Sequence, residues 1–166
     1  MKRLPIILLL IGLLAGGCVF AYRQSRLRSV PAAAWTCLRQ PRQMTVYSTI
    51  PDPADPALAG ARFFHGYRIL GEVSVSAATD QQRVAETIKD AVLHFPDPSI
   101  CFNPRHGIRV TDGHSAYDFV ICFECGLMDF YVGDQHVGGT EIGGPPDVLN
   151  SILTAAGVPL AATHEH

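Results

Sequence analysis

The chain has 166 residues, a length that is enough for one domain with a core of its own. Hydrophobic residues make up 48% of it and charged residues 17%. Seven of its 13 Lys and Arg residues precede Met44, so six remain beyond it against all 15 Asp and Glu residues. Nucleic-acid binding requires a basic face that neutralises phosphates, and this acidic folded part argues against that class of protein.

An uncharged apolar run follows Lys2 and Arg3 and extends over residues 4–22. One interpretation is an export signal with an apolar region at residues 5–14, ending in small residues before Cys18. Ala-Gly-Gly-Cys resembles a bacterial lipobox, although the leucine stands four residues before the cysteine rather than three, and Cys18 is therefore the lipidation candidate. The alternative is an uncleaved transmembrane helix of about 20 residues.

Two sequence signals predict opposite orientations of this anchor in the membrane. Arginines are more frequent after the run than before it, at Arg23, Arg26, Arg28, Arg39 and Arg42, and the positive-inside rule places such residues in the cytoplasm. The signal-like start favours export instead. We expect a membrane-anchored protein with its domain outside the cytoplasm, periplasmic or on the cell surface, and the cytoplasmic orientation stays open. Residues 1–22 are the anchor or signal, 23–42 a basic linker, and 43–166 one domain.

The first half of the domain predicts two strands and a helix. Residues 44–50 alternate and are rich in β-branched and aromatic side chains, which indicates a strand, and three prolines then predict an extended loop over residues 51–61. Residues 67–75 alternate again. A capping box at Thr79 and Gln82 begins a helix with apolar residues at helical spacing, and the segment 95–98 terminates it.

The second half predicts a meander and a final helix. The strands are residues 108–111, 116–121, 127–132 and 135–137, and Asp112-Gly113 is a strong hairpin signal between the first two. The helix opens at residues 143–147 and ends at Gly157. This order predicts an α+β fold: an antiparallel sheet of about five to six short strands with two helices packed on one face. The sequence contains no GxGxxG, Walker A, GxSxG or HExxH motif, which argues against the corresponding nucleotide-binding, hydrolase and zinc-protease classes.

The segment CFECG places Cys122 and Cys125 three residues apart near the end of a predicted strand. In a continuous strand the two side chains point to opposite faces and cannot bind one ion. A turn at Gly126 with positive φ would bring them together, as in zinc knuckles. The rest of a zinc site would come from Cys101 and His106, or from His114.

Several alternatives to zinc fit the same residues. If Cys101 and Cys122 lie on neighbouring strands, they could form a disulfide that leaves Cys125 free, and buried thiols are the simplest outcome. A thiol-active site would use His106 as a base that lowers the pKa of a cysteine. A purely structural role has Arg105 paired with Glu124 or Asp118, and His106 bound to a turn carbonyl.

Five segments read together carry a resemblance: YSTIPDP, FFHGYRILGEV, CFNPRHGIRV, YDFVICFEC and ILTAAGVPLA. With them the chain resembles a family of uncharacterised bacterial proteins that have a lipoprotein-like or single-span N-terminus. The resemblance covers roughly residues 44–160 and implies that these segments belong to one domain, but it implies no activity and no site residues.

From the sequence we expect a membrane-tethered cell-envelope domain that is a non-enzymatic binding or structural protein. The alternative is a zinc-binding or thiol-active protein that uses Cys101, His106, Cys122 and Cys125, with Arg105 and Glu124 beside them. The membrane is the expected contact of the N-terminus, and a protein or small-molecule partner is left unspecified.

Overall fold

The structure, a computed structural model, describes residues 4–53, 60–94, 99 and 101–162, with the backbone alone for residues 4–15, 52 and 53. Its helices are α1 Leu4–Leu27, α2 Ala32–Arg39, α3 Ala78–Leu93 and α4 Asp147–Ala155. Its strands are β1 Gln43–Pro53, β2 Phe63–Phe64, β3 Tyr67–Ser74, β4 His106–Thr111, β5 Ala116–Cys122, β6 Leu127–Val132 and β7 Gln135–Glu141.

All seven strands form one antiparallel sheet in the order β2-β3-β1-β4-β5-β6-β7. The predicted α+β class is confirmed. The predicted size is wrong, because the described residues contain seven strands rather than five to six and four helices rather than two. The additional strand is β2, a two-residue element that pairs with β3 across the turn His65-Gly66. Because β2 has only two residues, it is too short to show the alternation of a strand and leaves no signal in the sequence.

The prolines after Ile50 do not end the first strand. β1 continues to Pro53, and its pairing with β3 shifts register between Ile50 and Pro53, so the prolines lie at an irregularity of the ladder. Pro56, which also supported the predicted loop, lies outside the described residues, and so does the segment 95–98.

The main core lies between the helices and one face of the sheet. Alternate residues of the central strands supply it, including Val46, Ile108 and Phe119, and the buried stripe of α3 packs against them as predicted (Val84, Ala85, Ile88, Ala91, Val92). The predicted capping box does not form. The N-cap of α3 is Ala77 without a side-chain bond, and the Gln81 side chain instead donates to the carbonyl of Val75 at 2.8 Å.

Much of the segment 23–42, predicted as a basic linker, is helical. α1 continues to Leu27, and α2 buries Ala34, Cys37 and Leu38 in the main core. The indole nitrogen of Trp35 donates to the carbonyl of Leu27 at 2.9 Å, and Nε of Arg26 donates to the carbonyl of Val92 at 3.0 Å. Side chains therefore fasten the end of α1 to α2 and α3.

A search of the described part of the chain finds no helix whose length and apolar character would let it cross a membrane.

Candidate functional site

The candidate site is built on the turn between β5 and β6. β5 ends at Cys122, and residues 123–126 reverse the chain so that Leu127 pairs with Cys122 at the start of β6. Gly126 has φ +66 and donates its N–H to the carbonyl of Phe123 at 3.3 Å. The predicted turn is confirmed, since only a chain that reverses here brings the two cysteines of CFECG together.

Cys122 and Cys125 form a disulfide, with their Cα atoms 5.2 Å apart. The alternative in which Cys101 is bonded to Cys122 is therefore wrong. Cys101 is a free thiol, and its Sγ lies 3.6 Å from Sγ of Cys125. We call Cys101, Cys122 and Cys125 the sulfur cluster.

Both sulfurs of the disulfide accept a backbone hydrogen bond. The backbone N–H of Asn103 donates to Sγ of Cys125 at 3.1 Å, and the backbone N–H of Cys125 donates to Sγ of Cys122 at 3.1 Å. The hydroxyl of Ser99 lies 3.2 Å from Sγ of Cys101. Because hydrogen bonds to a charged form favour that form, the two backbone N–H groups are placed to stabilise the thiolates of Cys125 and Cys122 when the disulfide opens.

The three sulfurs differ in accessibility. Cys122 and Cys125 are 2% and 1% exposed, whereas Cys101 is partly exposed. Cys101 is therefore the member of the cluster that a molecule in solution reaches first.

Arg105 forms an ion pair with Glu124 beside the cluster, which confirms one of the two predicted partners. The Arg105 side chain is buried, while that of Glu124 is 50% exposed. Nε of Arg105 is buried and has no hydrogen-bond partner among the described residues. The guanidinium is thus held in an ion pair with part of its bonding capacity unused.

His106 is bound to α4 rather than to a turn carbonyl. Its Nε2 lies 2.7 Å from Oδ1 of Asn150, and its ring meets the edge of Phe123 at a centroid distance of 5.7 Å. Burial lowers the pKa of His106, and the nearby charge of Arg105 acts in the same direction, while the hydrogen bond that Oδ1 of Asn150 accepts acts against them. The imidazole is therefore held neutral and serves the packing of α4 on the sheet.

A cavity of about 30 Å³ lies beside the disulfide, and Arg105, His106, Cys122, Phe123 and Glu124 are among its lining residues. Arg105 and Cys122 therefore border the same small space.

The predicted zinc ligands are close in the fold but are not arranged as a metal site. Within the described ranges, no group of three or more His, Cys, Asp or Glu residues is placed to hold a metal ion. Zinc binds thiolates, and the disulfide removes Cys122 and Cys125 from that form. His114 is exposed in the turn between β4 and β5. A zinc site here would first require reduction of the Cys122–Cys125 disulfide.

The remaining two cysteines lie apart from this arrangement in the chain. Cys18, the lipidation candidate, is exposed on α1, and Cys37 is buried in α2. Burial raises the pKa of Cys37 to about 11, with a smaller contribution from the charge of Asp112. Cys37 is therefore a packing residue at neutral pH.

A second polar group, which the sequence analysis missed, lies on the face of the sheet opposite the main core. Asp118 is fully buried there, and it binds Nε2 of His65 at 2.7 Å and Nε of Arg109 at 2.8 Å. We call His65, Arg109 and Asp118 the charged cluster. The hydrogen bonds with Asp118 raise the pKa of Arg109 above its ordinary value.

Aromatic packing holds the charged cluster in place. The ring of His65 stacks on Tyr131 at 3.7 Å, and Phe64 covers Gly107 so closely that a Cβ there would lie 2.5 Å from the Phe64 ring. Arg109 and Asp118 are directly opposite across β4 and β5, so the Asp112-Gly113 hairpin could have revealed their pairing. His65 comes from 53 residues away and left no comparable signal.

No protein-family model, curated protein or solved structure matches this chain. The resemblance to a bacterial family therefore stays a prediction, and the geometry of the sulfur cluster is the basis for the functional interpretation.

Proposed function

We propose that this protein is a thiol–disulfide exchange protein whose redox centre is the sulfur cluster. The observation that carries the proposal is a free, partly exposed thiol, Cys101, whose sulfur lies 3.6 Å from a sulfur of a buried disulfide. This develops the thiol-active alternative from the sequence. A non-enzymatic binding or structural domain is the competing function, and the two differ in whether the disulfide exchanges.

The chemistry of exchange fits the cluster. A thiolate attacks one sulfur of a disulfide, and the other sulfur leaves as a thiolate. Here the attacking group, the attacked bond and donors for the resulting thiolates are already adjacent. A disulfide that serves only to stabilise a fold requires none of these.

The small loop that the disulfide closes also supports a reversible bond. Cys122 and Cys125 are three residues apart, and the chain-entropy relation gives such a short loop about 2 kcal/mol of stabilisation or less. The main core lies between the sheet and the helices and contains none of the three sulfurs of the cluster. Reduction is therefore expected to leave the domain folded.

We also propose that the protein works at a membrane, outside the cytoplasm. The apolar run of residues 4–22 with basic residues on both sides supports attachment, through a single span or through lipid on Cys18. A disulfide persists in an oxidising compartment, which supports the extracytoplasmic side. Loss of palmitate labelling in Cys18→Ala would support lipidation, and unchanged labelling would contradict it.

The redox titration of the purified full-length chain tests the proposed exchange. The protein is equilibrated in glutathione buffers of stepped potential, quenched with an alkylating reagent and analysed by mass spectrometry for the Cys122–Cys125 bond. We expect reduction at a midpoint above about −300 mV, the range of exchanging disulfides. A bond that survives until well below about −300 mV would be a structural disulfide and would contradict the proposal.

Cys37→Ser is the matched control for that titration. Cys37 is a free cysteine like Cys101, but it is buried in α2 and its pKa is raised to about 11. Replacing it should leave the midpoint unchanged. A shifted midpoint would mean that Cys37 takes part in the exchange, contrary to the proposal.

The zinc-binding alternative is tested on the same reduced protein. Reduction frees Cys122 and Cys125 beside Cys101, and three thiolates plus His106 would be an ordinary structural zinc set. The thiol-exchange proposal predicts no stoichiometric zinc after dialysis against micromolar zinc and gel filtration. One zinc per chain, lost in Cys101→Ser, would favour the metal-binding function.

A further inference from the structure

We infer that Cys101 is an outer cysteine through which the buried disulfide reaches partner thiols, so that the bond moves from Cys122–Cys125 to Cys101–Cys125 during exchange. The inference rests on the proposed function and adds the order of attack. It also assigns the class of substrate, an accessible thiol.

The internal step needs no external oxidant. The Cys101 thiolate attacks Sγ of Cys125, a Cys101–Cys125 bond forms, and the Cys122–Cys125 bond breaks. The electron pair of the broken bond goes to Sγ of Cys122, which leaves as a thiolate and takes up a proton. One disulfide and one thiol are present before and after the step.

Cys125 is the sulfur toward which the structure directs this attack. Its Sγ is the disulfide atom in contact with Cys101 at 3.6 Å, and Cys122 already accepts the N–H of Cys125 at 3.1 Å. The leaving thiolate would therefore have a donor at the moment it forms. The ion pair of Arg105 with Glu124 borders the same cavity as Cys122, and Nε of Arg105 has no hydrogen-bond partner among the described residues.

Accessibility explains why a relay is needed. At 2% and 1% exposure, Cys122 and Cys125 cannot be approached by a thiol carried on a polypeptide, whereas Cys101 is partly exposed. Once Cys101–Cys125 has formed, a partner thiolate attacks Sγ of Cys101 and releases Cys125 as a thiolate. A second partner thiol then attacks the mixed disulfide. The partner leaves oxidised as a disulfide, and Cys101, Cys122 and Cys125 remain as thiols.

The first test traps the outer disulfide. In Cys122→Ser, the full-length chain is oxidised under air, digested without reduction and mapped by mass spectrometry. We expect a Cys101–Cys125 bond in most of the protein. Free thiols at both positions would overturn the relay, even if the redox titration of the unmodified protein had supported the exchange function.

The second test measures rate. Cys101→Ser retains the Cys122–Cys125 disulfide, so the variant keeps the crosslink of the folded chain. Its reduction by excess glutathione should slow on the order of tenfold or more, because the rate of exchange depends on access to the attacked sulfur. An unchanged rate would overturn the relay, whereas the midpoint potential alone decides the proposed function.

Two thiol reagents distinguish a small-molecule thiol substrate from a thiol carried on a polypeptide. Glutathione and a cysteine-containing peptide of about ten residues are compared on the unmodified protein and on Cys101→Ser, with Cys37→Ser as the control expected to match the unmodified protein. Because the peptide is the bulkier thiol, the relay predicts a larger loss for it than for glutathione. Equal rates of the peptide with both proteins would place the attack on the inner disulfide and contradict the inference.

Discussion

The charged cluster and the sulfur cluster both depend on β5, but they use it at different points. Asp118 lies within the strand, fully buried, with bonds to Arg109 and His65. The sulfur cluster begins at the last residue of the strand, where the ladder ends and the chain turns. Interior positions of a strand hold groups in one arrangement, whereas its end allows a turn, and the proposed exchange of bonds takes place at such a turn.

Two of the three free thiols repeat this contrast. Cys37 is enclosed in α2 with a raised pKa, and Cys101 is partly exposed beside a disulfide. We therefore expect changes in the charged cluster to reduce stability without altering thiol chemistry. Changes in the sulfur cluster should do the reverse.

The largest expected effect is the loss of stability in Arg109→Ala. Without Arg109 the buried carboxylate of Asp118 keeps only His65 as a partner, and breaking a buried pair costs about 3 kcal/mol or more. The lower end of that range applies because the Arg109 side chain is 42% exposed. Urea denaturation would measure the decrease in the free energy of unfolding.

Arg83→Ala is the control for that variant. Arg83 pairs with Asp80 on the exposed face of α3, and such surface pairs contribute less than about 1 kcal/mol. Equal losses of unfolding free energy in the two variants would contradict the larger contribution expected of the charged cluster. So would a changed rate of glutathione reduction in Arg109→Ala, since the two clusters are expected to be independent.

A smaller effect is expected from pH, through His106. Burial lowers its pKa in the folded state, while the unfolded chain keeps the ordinary value near 6.5, so the unfolded state binds more protons below that pH. The contribution to stability is fully present above about pH 6.5 and is lost as pH falls, by at most about 1.4 kcal/mol per pH unit.

Urea denaturation at pH 7.5 and 5.5 would measure this dependence. His106→Gln should show a shallower decrease than the unmodified protein, and His94→Gln, which changes an exposed histidine, should not. An identical pH dependence in His106→Gln and the unmodified protein would show that His106 is not buried as a neutral group.

The smallest expected effect on stability is that of Gly126→Ala, about 1 kcal/mol, because alanine is strained at φ +66. Its effect on the sulfur cluster should be more visible, since the turn at Gly126 places Cys125 next to Cys122. A shifted redox midpoint with a modest loss in the urea midpoint is the expected outcome. A variant that is neutral in both measurements would contradict the role of the turn.

Local sequence signals predicted the elements that local forces determine. The apolar stripe of α3, the Asp112-Gly113 hairpin and the turn at Gly126 all depend on residues within a few positions of one another, and all are present. The gathering of Cys101 with Cys122 and Cys125 was also anticipated as a candidate site. The identity of the bonded pair was not, because it depends on how the turn places Cys125.

The features that were missed depend on tertiary contacts. α2 has eight residues between Pro31 and Gln40, too few for a convincing period, and the main core rather than helix propensity stabilises it. The interaction of His65 with Asp118 joins residues far apart in the chain. No pattern within either segment specifies such a contact.

The fastening of α1 has a mechanical consequence. Arg26 and Trp35 connect the last turn of the first helix to α3 and α2, so no slack segment separates Leu27 from the body of the domain. Any contact that fixes the orientation of the first turns of α1 therefore also fixes the orientation of the domain, and with it the direction in which Cys101 faces.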